Sequence, residues 1–205
     1  MRNYSPQPDN LSMLFKNSHT FTNNVSFQNA GEFGSIRVSV TDDRSDAIID
    51  NCNLRQTTFN VGSLINLSDK IKADVSFTYL NYHRLNSPVL GESYSNFNKG
   101  LLYSWPRSWQ GIEAASYENA DGSRIVWNNY RNLFPHINND IFWAFYNNNT
   151  TLDRDKAYGS FRLNYDITDW LSLSGKAALD FTLDQFETKH KPTAPDGMTG
   201  GFYKQ

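Results

Sequence analysis

Four stretches of eleven residues alternate apolar and polar side chains, and none carries a charge on its apolar side: Thr57–Leu67, Ile71–Asn81, Ala157–Ile167 and Leu171–Phe181. In the last, Leu171, Leu173, Gly175, Ala177, Leu179 and Phe181 point one way, and Ser172, Ser174, Lys176, Ala178, Asp180 and Thr182 the other. A period of two places successive side chains on opposite faces of a β-strand, here one apolar and one wet. Strands of soluble proteins average about five or six residues. Eleven matches the roughly 9–11 that a tilted strand needs to cross a bilayer. The pattern predicts an all-β, antiparallel chain and points to the wall of a transmembrane barrel.

The connections divide the chain in the same way. Ser68-Asp69-Lys70 and Thr168-Asp169-Trp170 are short turns between long strands, and a weaker pair, Phe21–Gln28 and Ser35–Thr41, is joined through the Gly-containing Asn29–Gly34. Three hairpins follow, over 21–41, 57–81 and 157–181. Between them run polar connections at Asp42–Gln56 and Tyr82–Lys156, and another follows Thr182. Short turns at one end and long loops at the other are the plan of outer-membrane barrels, whose long loops are extracellular. A soluble sandwich has no reason to gather its long loops at one end.

Charge placement agrees with a wall. Lys72, Asp74, Lys156, Arg162, Asp166, Lys176 and Asp180 lie on the polar faces, opposite Phe59, Val61, Val75, Phe77, Phe161 and Leu163. In a barrel the charged face lines a hydrated lumen, and a Lys or Arg on the lipid side at the midplane would cost about 2–4 kcal/mol. A sandwich would accept the same charges on its outer surface. Tyr165 and Trp170 beside one turn, with Tyr79 and Phe181 near the opposite strand ends, fall where interfacial aromatics sit. The longest apolar run, Ile141–Tyr146, is far short of the roughly 20 residues of a membrane helix. A net charge of −2 gives no sign of a nucleic-acid partner.

Six strands are fewer than the roughly eight of the smallest membrane barrels, and an open sheet in lipid would leave backbone groups unpaired at both edges. Met1–Asn10 has no apolar segment of the kind that directs secretion. The expectation is therefore an internal fragment of a larger barrel.

The chain also resembles the SusC/RagA family of TonB-linked outer-membrane proteins. The resemblance rests on Tyr4-Ser5-Pro6-Gln7-Pro8-Asp9-Asn10, Phe21-Thr22-Asn23-Asn24-Val25-Ser26-Phe27 and Gly34–Ser39. It continues through Trp105-Pro106-Arg107, Phe142–Asn148 and the strand–turn–strand segment Asn164–Lys176. It implies a barrel of about 22 strands in the outer membrane of a Bacteroidetes-like Gram-negative cell. It also implies a plug and a TonB box preceding the barrel, a SusD-like surface lipoprotein as partner, and uptake of oligosaccharides or peptides without chemical catalysis. On that reading this chain supplies barrel strands and loops, and coupling to TonB lies in parts outside it.

The stretch 82–156 is the expected extracellular loop. It interleaves aromatics with Asn and Arg, a combination that suits sugars, which offer apolar C–H faces ringed by hydroxyls. Trp105, Arg107, Trp109, Trp143 and Tyr146 are the candidate substrate-binding residues; packing of the loop on itself or on a lid would use the same aromatics. Elsewhere the chain is chemically quiet. His19, His83, His136 and His190 are scattered with no metal-ligand spacing, so no metal or cofactor is expected. Asp180 and Asp184 would lie about 13 Å apart on one strand, at roughly 3.3 Å per residue, too far for a glycosidase pair. Asp153–Asp155 is expected to be a solvated loop end. The alternative to a transporter is a soluble β-sandwich carbohydrate-binding module using the same aromatics.

Overall fold

The computed structural model describes residues 5–10, 12, 15–87, 118–122 and 146–190. After a short 3-10 turn at Pro8–Asn10, six strands follow: β1 (His19–Gly31), β2 (Gly34–Asp46), β3 (Asn53–Ser68), β4 (Ile71–Leu85), β5 (Asn148–Thr168) and β6 (Leu171–His190). They form one antiparallel sheet in the order of the sequence, and it is not closed: among the described residues β1 and β6 are free edges. All six expected strands are present and all are longer than the alternation suggested. The stretch 42–56 shrinks to a connection at Ala47–Cys52, because β2 continues to Asp46 and β3 starts at Asn53. The 82–156 stretch gives its ends to β4 and β5, and β6 runs on past Thr182. The apolar pattern stops where the strands do not.

The register shows why. On one face, Val25, Val40, Phe59, Tyr79, Ala157 and Phe181 lie in a row across all six strands. The row nearer the turns is Phe27, Val38, Val61, Phe77, Gly159 and Leu179, and the next is Asn29, Ile36, Ser63, Val75, Phe161 and Ala177. Away from the turns the same face changes character within one row. Asn23, Asp42, Thr57, Asn81, Asp155 and Leu183 come first, then Phe21, Arg44, Arg55, His83, Asp153 and Gln185. One face thus carries an apolar band and, beyond it, a charged collar. The alternation is unbroken between them, because strands pair through their backbones whatever the side chains are.

Nothing among the described residues covers the band. Val25 is 76% exposed, Leu179 71% and Leu173 63%, and no large side chain among the described residues is fully buried. A soluble domain builds its core by packing a second layer against an apolar face, and each large aliphatic so buried gains about 1.5–3 kcal/mol. Here the only buried apolar residues among those described are Ile49, Cys52 and Ala73. The described residues form one layer.

The three turns descend like a staircase. Gly34, Ile65, Ala73, Leu163 and Gly175 occupy one row. β2 begins at that row, β4 two residues below it at Ile71, and β6 four below it at Leu171. Two residues are about 6.6 Å along a strand, and two strand spacings about 9.6 Å across it. Turns lying in one plane would therefore tilt the strands by about 35° from its normal. The first two turns are each fastened to the next hairpin. Asn66 donates its backbone N–H to the Phe33 carbonyl at 2.9 Å and its side-chain amide to the Glu32 carbonyl at 3.0 Å. Asp166 N–H donates to the Lys70 carbonyl at 2.8 Å. Ser68 Oγ accepts from the N–H groups of Lys70 and Ile71, a local side-chain turn that fixes the β3–β4 reversal.

Candidate functional site

The strand ends opposite the turns hold the polar chemistry. On the collar, His83 pairs with Asp153, and Tyr79 Oη donates to Asp155 Oδ1 at 2.5 Å while Asn81 Nδ2 donates to the same oxygen at 2.9 Å. Tyr79 stands in the last apolar row, so its ring lies in the band and its hydroxyl reaches the collar. On the other face Arg154 makes a two-pronged ion pair with Asp184 at 2.6 Å for both contacts, and Lys156 meets Asp180 at 3.2 Å. Asp180 and Asp184 are thus each committed to a cation on β5. Asp153–Asp155, expected as a loop end, is strand, and two of its carboxylates serve the collar. These pairs were invisible in the sequence because each depends on the register. The visible signal was a period of two continuing from Asn81 to His83 and from Asp153 to Asp155.

Above the collar four segments converge. Phe15 and Ile49 form an antiparallel bridge, and Lys16 N–H donates to the Ile48 carbonyl at 2.8 Å, which lays the N-terminal segment along the β2–β3 connection. Lys16 Nζ meets Asp50 Oδ1 at 2.9 Å, and Tyr146 Oη donates to Asp50 Oδ2 at 3.1 Å. Beside them is a cluster of amides. Asn86 Nδ2 donates to the Asn51 carbonyl at 2.8 Å and to Asn149 Oδ1 at 3.0 Å, while Asn51 Nδ2 donates to Asn149 Oδ1 at 3.1 Å. Asn86 Oδ1 accepts from the Thr150 N–H at 2.8 Å. Asn51 and Asn86 have φ of 52° and 45°, the left-handed region that asparagine tolerates better than most residues. Asn149, one of the asparagines interleaved with the aromatics of the 82–156 stretch, here braces the chain.

Of the five candidate substrate residues, Trp105, Arg107, Trp109 and Trp143 lie outside the described residues. Tyr146 is half-buried, and its hydroxyl is engaged with Asp50, residues 96 apart in sequence. Among the described residues there is no group of three or more His, Cys, Asp or Glu able to hold a metal ion, and no helix long and apolar enough to cross a membrane.

Two predictions arise from this end. The bond from Lys16, and after it that from Tyr146, hold the Asp50 carboxyl below its ordinary 3.8, and the bond to Asp50 raises Lys16 above its ordinary 10.5. The Asp50 contribution is present above its ordinary value and lost as pH falls through its lower folded value. That of Lys16 is present below 10.5 and lost as pH rises through its higher folded value. Both side chains are well exposed, so the pair contributes less than about 1 kcal/mol. Asp50→Asn is expected to speed hydrogen exchange at Lys16 N–H at neutral pH and to make little difference in strong acid. Cys52 is 3% exposed, and burial pushes its thiol up. It is expected to react with an aromatic disulfide reagent at least about a hundredfold more slowly in the folded chain than in denaturant.

Compared with models of protein families and with curated proteins, the chain matches none.

Proposed function

We propose that this sheet is a section of the wall of a transmembrane β-barrel in the outer membrane, and that the barrel is a TonB-dependent importer of the SusC/RagA type. The observation that carries the reading is the uncovered apolar band, continuous over six strands and bounded by a charged collar. The turn staircase supports it, since about 35° falls within the strand tilt of such barrels, roughly 35–45°. The free edges of β1 and β6 support it too. Open edges are not tolerated in lipid, so the sheet requires further strands on both sides, up to the roughly 22 of the family.

On this reading the apolar face meets outer-membrane lipid and the polar face lines the lumen. The strand ends bearing the Asp50–Tyr146 cluster and the connection 86–147 are extracellular. A large nutrient, an oligosaccharide or peptide, passes without chemical change. Trp105, Arg107, Trp109 and Trp143 remain the candidates for its capture, with a SusD-like lipoprotein as the lid. A sandwich module would need a second sheet over the band, and the described residues form one.

Sequencing the DNA on both sides of this reading frame tests the proposal. In-frame plug sequence upstream and roughly sixteen further strands (the family's 22 less these six) are expected. Stop codons at both ends with no such sequence nearby would overturn it and favour the soluble module.

A further inference from the structure

The polar face carries a depression of about 350 Å³ over the middle of β3, lined by Arg37, Ser39, Asn60, Val61, Gly62 and Thr78. That size suits a monosaccharide or dipeptide, at the lower end of small-molecule pockets (roughly 300–1,000 Å³). The register explains its shape. Arg37 and Gly62 are cross-strand neighbours on β2 and β3, and Ser39, Asn60 and Thr78 form the adjoining row. Strand alternation turns the Val61 side chain to the other face, so Val61 contributes its backbone to the floor. The depression exists because Gly62 has no side chain.

Nothing in the backbone requires glycine there. A Cβ at Gly62 would meet nothing within 4 Å, and its φ is not in the left-handed region. A mid-strand glycine of this kind weakens a strand for no packing gain. It keeps a floor open instead.

The groups around that floor are donors. Ser39 is 8% exposed, yet its hydroxyl has no hydrogen-bond partner among the described residues and is not sealed from solvent. Arg37 is exposed and has no ion-pair partner among the described residues. Asn60 Oδ1 is occupied by Thr78 Oγ1 at 2.8 Å, which leaves the Asn60 amide N–H groups to face the depression. No carboxylate among the described residues lines it: Asp74 stands one row nearer the turns, opposite Arg162, and Asp180 is paired with Lys156. A guanidinium fork, a hydroxyl and an amide with no acid among them match a carboxylate, which accepts bidentate bonds from Arg.

We propose that this depression binds the carboxylate of a small organic acid, a sugar acid or the C-terminus of a short peptide. The site needs only that the polar face meets water, so it stands apart from the membrane reading.

The test is saturation-transfer NMR on the full chain in a polyoxyethylene detergent, which brings no sugar of its own. The probes are glucuronate and N-acetyl-dialanine, each against its neutral counterpart, glucose and N-acetyl-dialanine amide. At least one acid is expected to bind saturably and about tenfold tighter than its counterpart, and the one that does identifies the source of the carboxylate. Arg37→Gln and Gly62→Leu are each expected to weaken that binding by about tenfold, Gly62→Leu with an unchanged far-ultraviolet circular dichroism spectrum. Absence of saturable binding by both acids, equal binding of acids and neutral counterparts, or binding that survives Arg37→Gln would overturn the proposal. Arg37 is exposed, so that variant decides the matter even where Gly62→Leu disturbs the sheet.

Discussion

If the sheet is barrel wall, Leu179→Arg is expected to disfavour membrane insertion by about 2–4 kcal/mol, the depth-dependent cost of a cation on a lipid-facing side near the midplane. Leu179 is 71% exposed and stands in the middle apolar row, with Gly159 beside it on β5. Its chain neighbour supplies the control. Ala178 faces the other way, across from Ser160, and Ala178→Arg is expected to leave insertion nearly unchanged. The measurement is the fraction that resists alkaline extraction from vesicles. The sign of the contrast matters more than its size. On a water-exposed sheet, Leu179→Arg would remove an apolar side chain from solvent and improve solubility, and the two variants would behave alike.

The second large effect is local and steric. Gly34→Ala is expected to destabilise the sheet by about 3 kcal/mol or more, through strain and a backbone clash that the turn cannot relieve. Gly34 has φ of 125°, a region nearly closed to other residues, and an added Cβ would lie 1.9 Å from the Leu64 carbonyl oxygen on β3. The Glu32 and Phe33 carbonyls beside it are both held by Asn66, so relaxation would break those bonds as well. Gly31, its partner across the turn, meets nothing within 4 Å of an added Cβ, and Gly31→Ala is expected to be tolerated. Urea unfolding of the pair in detergent separates the two positions. Equal midpoints would show that the β1–β2 turn is not built as described.

The hairpins and their faces were legible in the sequence because the band is chemically uniform. Phe59, Val61, Val75, Phe77, Phe161 and Leu163 repeat every second residue with no charge between them on that face, and Ser68-Asp69 and Thr168-Asp169 mark the reversals. The strand ends were not legible. His83 opposite Asp153 and Asn81 opposite Asp155 continue the ladder with polar pairs, and polar residues carry no periodic signal unless their partners are known. The ion pairs of Arg154 and Lys156 were hidden for the same reason, since strand pairing alone sets 30 residues of separation between Arg154 and Asp184. Tyr146 was legible as an aromatic beside asparagines, the composition of a sugar site. Its engagement with Asp50 depends on a fold that brings the start of β5 to the β2–β3 connection, and no local pattern encodes that. The depression over Gly62 was hidden by the alternation itself, which treats a glycine on the polar face as one more small residue.

The most direct measurement is lipid contact read residue by residue along β4. Single cysteines at Val75, Ser76, Phe77 and Thr78, in a Cys52→Ser background, would carry a small fluorophore in the protein reconstituted into vesicles. If the sheet is barrel wall, brominated lipid quenches labels at Val75 and Phe77, and aqueous iodide quenches those at Ser76 and Thr78. Iodide reaching all four equally, with no quenching from lipid, would contradict the account.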